Sequence, residues 1–129
     1  MGKHSHAEGN TTTAYGNASH AEGGETIAVS IYSHAEGYQT IAVGEFSHAE
    51  GLNNEVQGNY AHIEGFQNRA DGEGSHTEGQ GNVLGVAASY SHIEGSGNLL
   101  EGIISHVEGF ENHASGDYAH IEGSNNQAP

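Results

Sequence analysis

Along the chain, small or apolar residues alternate with polar ones in stretches of a few residues. In the copy "SHAEGYQTIAVGEF" at 33–46, Ser33, Ala35 and Gly37 fall on one side of the alternation and Tyr32, His34 and Glu36 on the other. Thr40, Ala42 and Gly44 then share a face opposite Ile41 and Val43. A period of two predicts strands, and the glycine after each stretch predicts a corner. One unit therefore reads as two short strands and two turns. Helix is excluded, because glycine and β-branched residues recur throughout and no apolar stripe repeats at 3.6.

The unit recurs. His6, His20, His34, His48, His62, His76, His92, His106 and His120 stand 14 residues apart, except for 16 between His76 and His92. Such regularity predicts an all-β parallel β-roll, a solenoid of nine 14-residue rungs, forming a single repeat domain over 1–129. The two extra residues in the rung 75–90 are expected as a bulge at the corner after its second strand. A calcium-binding roll of the GGxGxD type does not fit, since that signature is absent. With the Ser/Ala/Gly and Thr/Ala/Gly faces inside, an inner row runs Thr12, Thr26, Thr40, Asn54, Asn68, Asn82, Asn98, Asn112 and Asn126. These side chains suit hydrogen bonding between rungs ~4.8 Å apart, and nine rungs give a rod roughly 40 Å long.

Composition sharpens this picture. Seventeen acidic residues face only Lys3 and Arg69, a formal charge of −15, which argues against nucleic acid or an anionic membrane as partner and for cations. There is no cysteine and no apolar run long enough to span a membrane, and "MGKHSHAEG" lacks the apolar core of a secretion signal. A core of Ala, Gly, Ser and Thr gains little at ~25 cal/mol per Å² against the entropy of ordering 21 glycines. A coil this thin is expected to need partners.

Two rows mark the surface that meets them. Tyr32, Phe46, Tyr60, Tyr90 and Tyr118, with Ile104, precede the motif, and only Ala18 and Gly74 break the series. The motif pairs do not vary at all: His6/Glu8, His20/Glu22, His34/Glu36, His48/Glu50, His62/Glu64, His76/Glu78, His92/Glu94, His106/Glu108 and His120/Glu122. Nine glutamates in register repel unless each finds a donor, and histidine alone is present in matching number. The first expectation is therefore an inter-chain or inter-rung ladder of charge-assisted hydrogen bonds, with stability that depends on pH near and below the histidine pKa of ~6.5.

The second reading is a divalent transition metal held by the His/Glu ladder, with His4 and His6 of "HSH" as candidate ligands on one strand face; no cofactor is otherwise called for. A frayed terminus is the plainer account of that stretch. Catalysis by the adjacent Ser and His fits poorly, because strand neighbours point to opposite faces and an active site is not repeated nine times, so no enzyme activity is expected. An ice-binding threonine array is discounted because the row lasts three rungs and faces inward. His113 stands alone on the variable face and reads as solvated.

The "AEG" at 7–9, 21–23, 35–37 and 49–51, with "AYG" 14–16, "AVG" 42–44, "ADG" 70–72 and "ASG" 114–116, resembles the head repeats of YadA-like trimeric autotransporter adhesins. SHAEG-rich stretches also resemble segments of phage tail appendages and related surface proteins. The resemblance covers nearly the whole chain and implies a left-handed roll, three chains side by side, in an extracellular, cell-surface or virion fibre or adhesin. The signal peptide, coiled-coil stalk and anchor of those adhesins have no counterpart here, and the invariant His and Glu lie outside their general pattern. Binding of a host or surface ligand would use variable outward residues such as Ile27, Val29, Ile41, Val43, Arg69 and Glu101. The alternative assembly is a filament grown by strand addition at open rung ends.

Overall fold

A computed structural model describes residues 1–129. The first strands of the rungs are β1 (His6–Asn10), β3 (His20–Gly24), β5 (His34–Tyr38), β7 (His48–Ala49), β9 (His62–Ile63), β11 (His76–Thr77), β13 (His92–Ser96), β15 (His106–Phe110) and β17 (His120–Ser124). The second strands are β2 (Thr13–Ala14), β4 (Ile27–Ala28), β6 (Ile41–Ala42), β8 (Glu55–Val56), β10 (Arg69–Ala70), β12 (Val83–Leu84), β14 (Leu99–Leu100), β16 (His113–Ala114) and β18 (Gln127–Ala128). Each set forms one nine-stranded parallel sheet, in the order β1-β3-β5-β7-β9-β11-β13-β15-β17 and its counterpart β2 to β18. The chain is thus a β-solenoid of nine coils, with no helix.

Pairing is in register with the repeat: His20 lies beside His34, Ala21 beside Ala35 and Glu22 beside Glu36. A repeat that matches the coil length stacks like on like, so every motif position becomes a column. This is why the sequence rows survive as physical rows.

Ala35, Ala42, Ser33 and Thr40 are buried, as the alternation predicts. The core is less uniformly thin than expected. Alanines fill the first rungs, but Val56, Ile63, Leu84, Ile93, Leu100, Val107 and Ile121 occupy the same columns further along. The buried apolar side chains form two clusters, Ala14 to Ala70 and Leu84 to Ile121, divided where buried Thr77 takes the place of an apolar residue.

The corners differ from the simple expectation. Gly37 does not point into the coil: it is exposed at φ 104°, and an added Cβ would sit 2.1 Å from the Gly51 carbonyl oxygen of the next rung. Gly44 is buried and has no left-handed φ, so it is not the turning residue; its Cβ would meet the Gly58 oxygen at 2.1 Å. Both glycines are required by the close approach of one rung's backbone to the next. The left-handed turn at the second corner falls to Phe46, at φ 56°, and the same column holds Tyr32, Tyr60, Tyr90, Ile104 and Tyr118.

The insertion lies where the pattern places it. After β12, Ala88 N–H donates to the Gly85 carbonyl in an added turn, while His76 still pairs with His92 and Val83 with Leu99. Ala88 takes over the corner, since a Cβ on Gly72 would meet the Ala88 oxygen at 2.4 Å.

The inner Asn row is a ladder. Asn68 Nδ2 donates to the Glu64 oxygen of its own rung at 2.7 Å and to the Gly79 oxygen of the next at 2.8 Å, and its Oδ1 accepts from Asn82 N–H at 2.8 Å. Thr40 Oγ1 reaches only the Glu36 oxygen, 3.0 Å away within its own rung. The threonine hydroxyl is one bond too short to bridge rungs, so the expected inter-rung bonding holds for the asparagines alone.

Candidate functional site: the histidine and glutamate rows

The register of the first sheet puts nine imidazoles face to face. Successive rings stack with centroids 4.6 Å apart at His34/His48 and 5.2 Å at His106/His120 as the extremes, and interplanar angles of 20° or less. The stack follows from sheet spacing, since like side chains on parallel strands repeat every ~4.8 Å, close to a ring-stacking distance.

The paired glutamates run beside it. His Nε2 to carboxylate distances are 3.4 Å at His20/Glu22, 3.6 Å at His34/Glu36, 3.8 Å between His76 and Glu64, 3.6 Å between His92 and Glu78, and 3.9 Å at His106/Glu108. No His–Glu hydrogen bond forms along the motif row, so the expected ladder of charge-assisted bonds is not made within one chain. Instead, the Nε2 atoms of His20, His34, His48, His62, His76, His92 and His106 are shut off from solvent without a hydrogen-bond partner, although the rings themselves are about one-third exposed, as at His34 and His92.

The two end pairs depart from the ladder that the motif predicts in all nine rungs. Glu8 and Glu122, expected as ladder members, are exposed, with side chains 70% and 64% accessible, and their partners His6 and His120 are exposed with them. His6 Nε2 lies 3.6 Å from Glu8 and His120 Nε2 lies 3.2 Å from Glu122, but water screens both contacts. The physical reason is coverage: β1 pairs only with β3, and β17 only with β15, so each end pair has a neighbouring rung on one side alone. Neither Glu8 nor Glu122 belongs to any cluster of converging ligand atoms. The shielded ladder therefore runs from His20/Glu22 to His106/Glu108, and the end pairs are solvated.

The charge is relieved among the carboxyls. Hydrogen bonding to neighbouring Glu36 and Glu64 pushes Glu50 up to about 7, and burial followed by bonds to Glu64 and Glu94 pushes Glu78 up to about 6. Glu36, Glu64 and Glu94, which accept those protons, are held below the usual carboxylate range, while a bond to Glu94 raises Glu108. From Glu36 to Glu108 the row alternates between carboxyls held below the usual range and carboxyls pushed above it. Burial, followed by like-charged histidine neighbours, pushes His48, His62 and His92 down. At His48, His62 and His92 the neutral imidazole is thus favoured, against the expectation of an imidazolium row, and the neighbouring carboxyls titrate as a coupled set.

Several candidate residues stand elsewhere than expected. His4 is not on the strand with His6; it lies in the preceding turn at φ 59°, in the column the aromatic residues occupy further along. Tyr32 and its column likewise do not continue the His/Glu strand face but sit at the corner before it, exposed. Tyr32, Phe46 and Tyr60 stack there with centroids 5.0 and 5.2 Å apart, and the Tyr90 ring covers the gap at Gly74, whose Cβ would lie 2.8 Å from it. His113 is not solvated alone: its Nε2 lies 2.8 Å from a Glu101 carboxylate oxygen. Ser33 Oγ donates inward to the Ser30 oxygen at 2.7 Å, on the face opposite the His34 ring.

A second apolar row went unread. Tyr38, Leu52 and Phe110 are exposed at the far end of the first-sheet strand, with Phe66 in the same column. Its signal was the large residue directly after the motif glycine, hidden because polar or small residues take that place in five rungs. Apolar rows thus flank the His/Glu columns on both sides. No protein-family model matches the chain, and no curated protein matches it.

Proposed function

We propose that the chain is a structural, rod-like segment that works as a homotrimer of parallel β-rolls, in an extracellular fibre or adhesin of the kind its repeats resemble, a YadA-like head or a phage tail appendage. The observation that carries this reading is the continuous exposed apolar column at the corner. Tyr32, Phe46, Tyr60, Tyr90, Ile104 and Tyr118 are 45–71% exposed, a ladder that a lone soluble rod would leave in water. In the columns beside it Glu50 and Glu78 are pushed up and His48, His62 and His92 pushed down, which lowers the charge another copy must approach.

The thin alanine rungs at 14–49 support the same reading, since they bury little apolar surface on their own. The second sheet presents varied residues outward, including Ile27, Ile41, Arg69 and Glu101, and is the face left for a host or surface ligand. The test is the mass of the protein in solution together with Phe46→Ser and Tyr60→Ser. The proposal expects a discrete trimer that these changes dissociate while the β-rich circular dichroism persists. A monomer in the unaltered chain, or fibres that lengthen with concentration, would refute it.

A further inference from the structure

We propose that the ladder binds divalent transition cations, Zn²⁺ being the simplest case, at triads made of one histidine between two glutamates of successive rungs, the best formed being Glu78/His92/Glu94. This goes beyond the assembly reading and does not rest on it, because every ligand of a triad belongs to one chain.

Four such triads bring their ligand atoms within 4.8 Å of one another: Glu50/His62/Glu64, Glu64/His76/Glu78, Glu78/His92/Glu94 and Glu94/His106/Glu108. Two ligands bound at about 2.1 Å, with an angle of about 110–125° between them, lie about 3.4–3.7 Å apart. The 3.6 Å between His92 Nε2 and Glu78 falls in that range and is too long for a hydrogen bond. The second and independent observation is the Nε2 atoms of His62, His76, His92 and His106, closed to solvent with no partner. An imidazole nitrogen closed off beside carboxylates is satisfied, as its neutral form, by a cation held between them. Imidazole with carboxylate oxygens is a donor set for first-row divalent ions, whereas Mg²⁺ prefers oxygen and water. The charge of −15 draws such ions in.

Neighbouring triads share a glutamate, and ions in adjacent triads would stand one rung, about 4.8 Å, apart and repel. Alternate triads therefore fill first, which predicts two tightly held ions per chain in this stretch. The group His34/Glu36/His48 is the poorer site. It is built the other way round, from two stacked imidazoles with centroids 4.6 Å apart and a single carboxylate, so it brings less negative charge to a cation.

Glu64 and Glu94 together belong to all four triads, so E64Q/E94Q removes them all while keeping side-chain size. Chelator-stripped full-length protein is titrated with Zn²⁺ in excess Mg²⁺, with retained zinc measured after dialysis and the ¹⁵N signals of the imidazoles followed. The expected result is two zinc ions per chain, shifted Nε2 resonances on the central histidines, and at least about tenfold weaker binding in the double variant. Zinc displaced by Mg²⁺, imidazole signals that do not move, or unchanged affinity in a folded E64Q/E94Q overturns the proposal. If that variant does not fold, the imidazole signals of the unaltered protein decide. A chain that binds zinc as a monomer would sink the trimer and leave the metal sites standing, and a zinc-free trimer would do the reverse.

Discussion

Replacing Asn82 with alanine strikes the rod in the middle of its interior asparagine ladder. Asn82 is fully buried; its Nδ2 donates to the Glu78 oxygen at 2.7 Å and the Gly95 oxygen at 2.9 Å, and its Oδ1 accepts from Asn98 N–H at 2.9 Å. The Gly95 oxygen keeps a second donor, Gln80 N–H at 2.9 Å, but the inward Glu78 carbonyl and Asn98 amide lose the side-chain partner that serves them. Two buried groups left unsatisfied cost about 1–3 kcal/mol each, and the third bond adds about 1 kcal/mol, so the loss is about 5 kcal/mol. That is a large part of the 5–15 kcal/mol typical of a folded domain. Asn82→Thr supplies the control. Thr40 Oγ1 bonds only the carbonyl four residues before it, so a threonine at 82 restores one bond and recovers about 1 kcal/mol. Urea unfolding followed by far-ultraviolet circular dichroism, at one protein concentration so that association is held constant, reads both changes. A loss under about 1 kcal/mol for the alanine variant, or a threonine variant no better than alanine, would refute the ladder as a main bond between rungs.

Other outcomes follow from the same geometry. Gly51→Ala forces a Cβ to 2.3 Å from the Gly65 oxygen at φ 100°, so it should cost about 3 kcal/mol or more, read as a lowered urea midpoint; a loss within about 0.5 kcal/mol would contradict the rung spacing. Glu50, raised to about 7 in the folded chain, contributes stability that is present below its unfolded pKa near 4.3 and is lost as pH rises through about 7. In metal-free protein, Glu50→Gln should therefore gain stability relative to the unaltered chain between pH 6 and 8, and a difference that does not change with pH would remove the proton-sharing account. The depressed His48, His62 and His92 act in the opposite sense, with stability present above about 6.5 and lost as pH falls through their lowered values. His62→Gln should flatten the acid side of the melting profile, and an unchanged acid limb would count against neutral imidazoles.

Much of the fold was legible because the repeat length equals one coil, so a period-two pattern and nine aligned histidines determine strands, corners and parallel register together. The insertion was legible for the same reason: Val83 follows His76 at the usual seven residues and pairs with Leu99, so the two extra residues fall to the corner after Leu84. What escaped was conformational. Alternation assigns Tyr32 to the strand face of His34, but its φ of 54° places it in a turn, and nothing in a tyrosine signals a left-handed backbone. Glycines read as turn formers proved to be contact points between rungs, a requirement visible only once the next rung is in place. The chemistry of the His/Glu columns was half legible. Their invariance marked them as a row, yet whether histidine or glutamate carries the shared proton depends on burial and on spacings of 3.4–4.0 Å, which residue order does not specify. Glu8 and Glu122 carry the same motif as Glu64 but lack a rung on one side, so an identical sequence yields a solvated pair at the ends and a shielded one between them. His113 shows the same limit, since its partner Glu101 stands 12 residues away and outside the motif.

The central claim is that this rod works with two more copies of itself, packed through the aromatic and His/Glu columns. Sedimentation equilibrium of the purified chain over a wide concentration range tests it most directly. Three copies of the 13.4 kDa chain predict one species of about 40 kDa that does not grow with concentration, whereas a species at the mass of the single chain, or one that lengthens without limit, would contradict it.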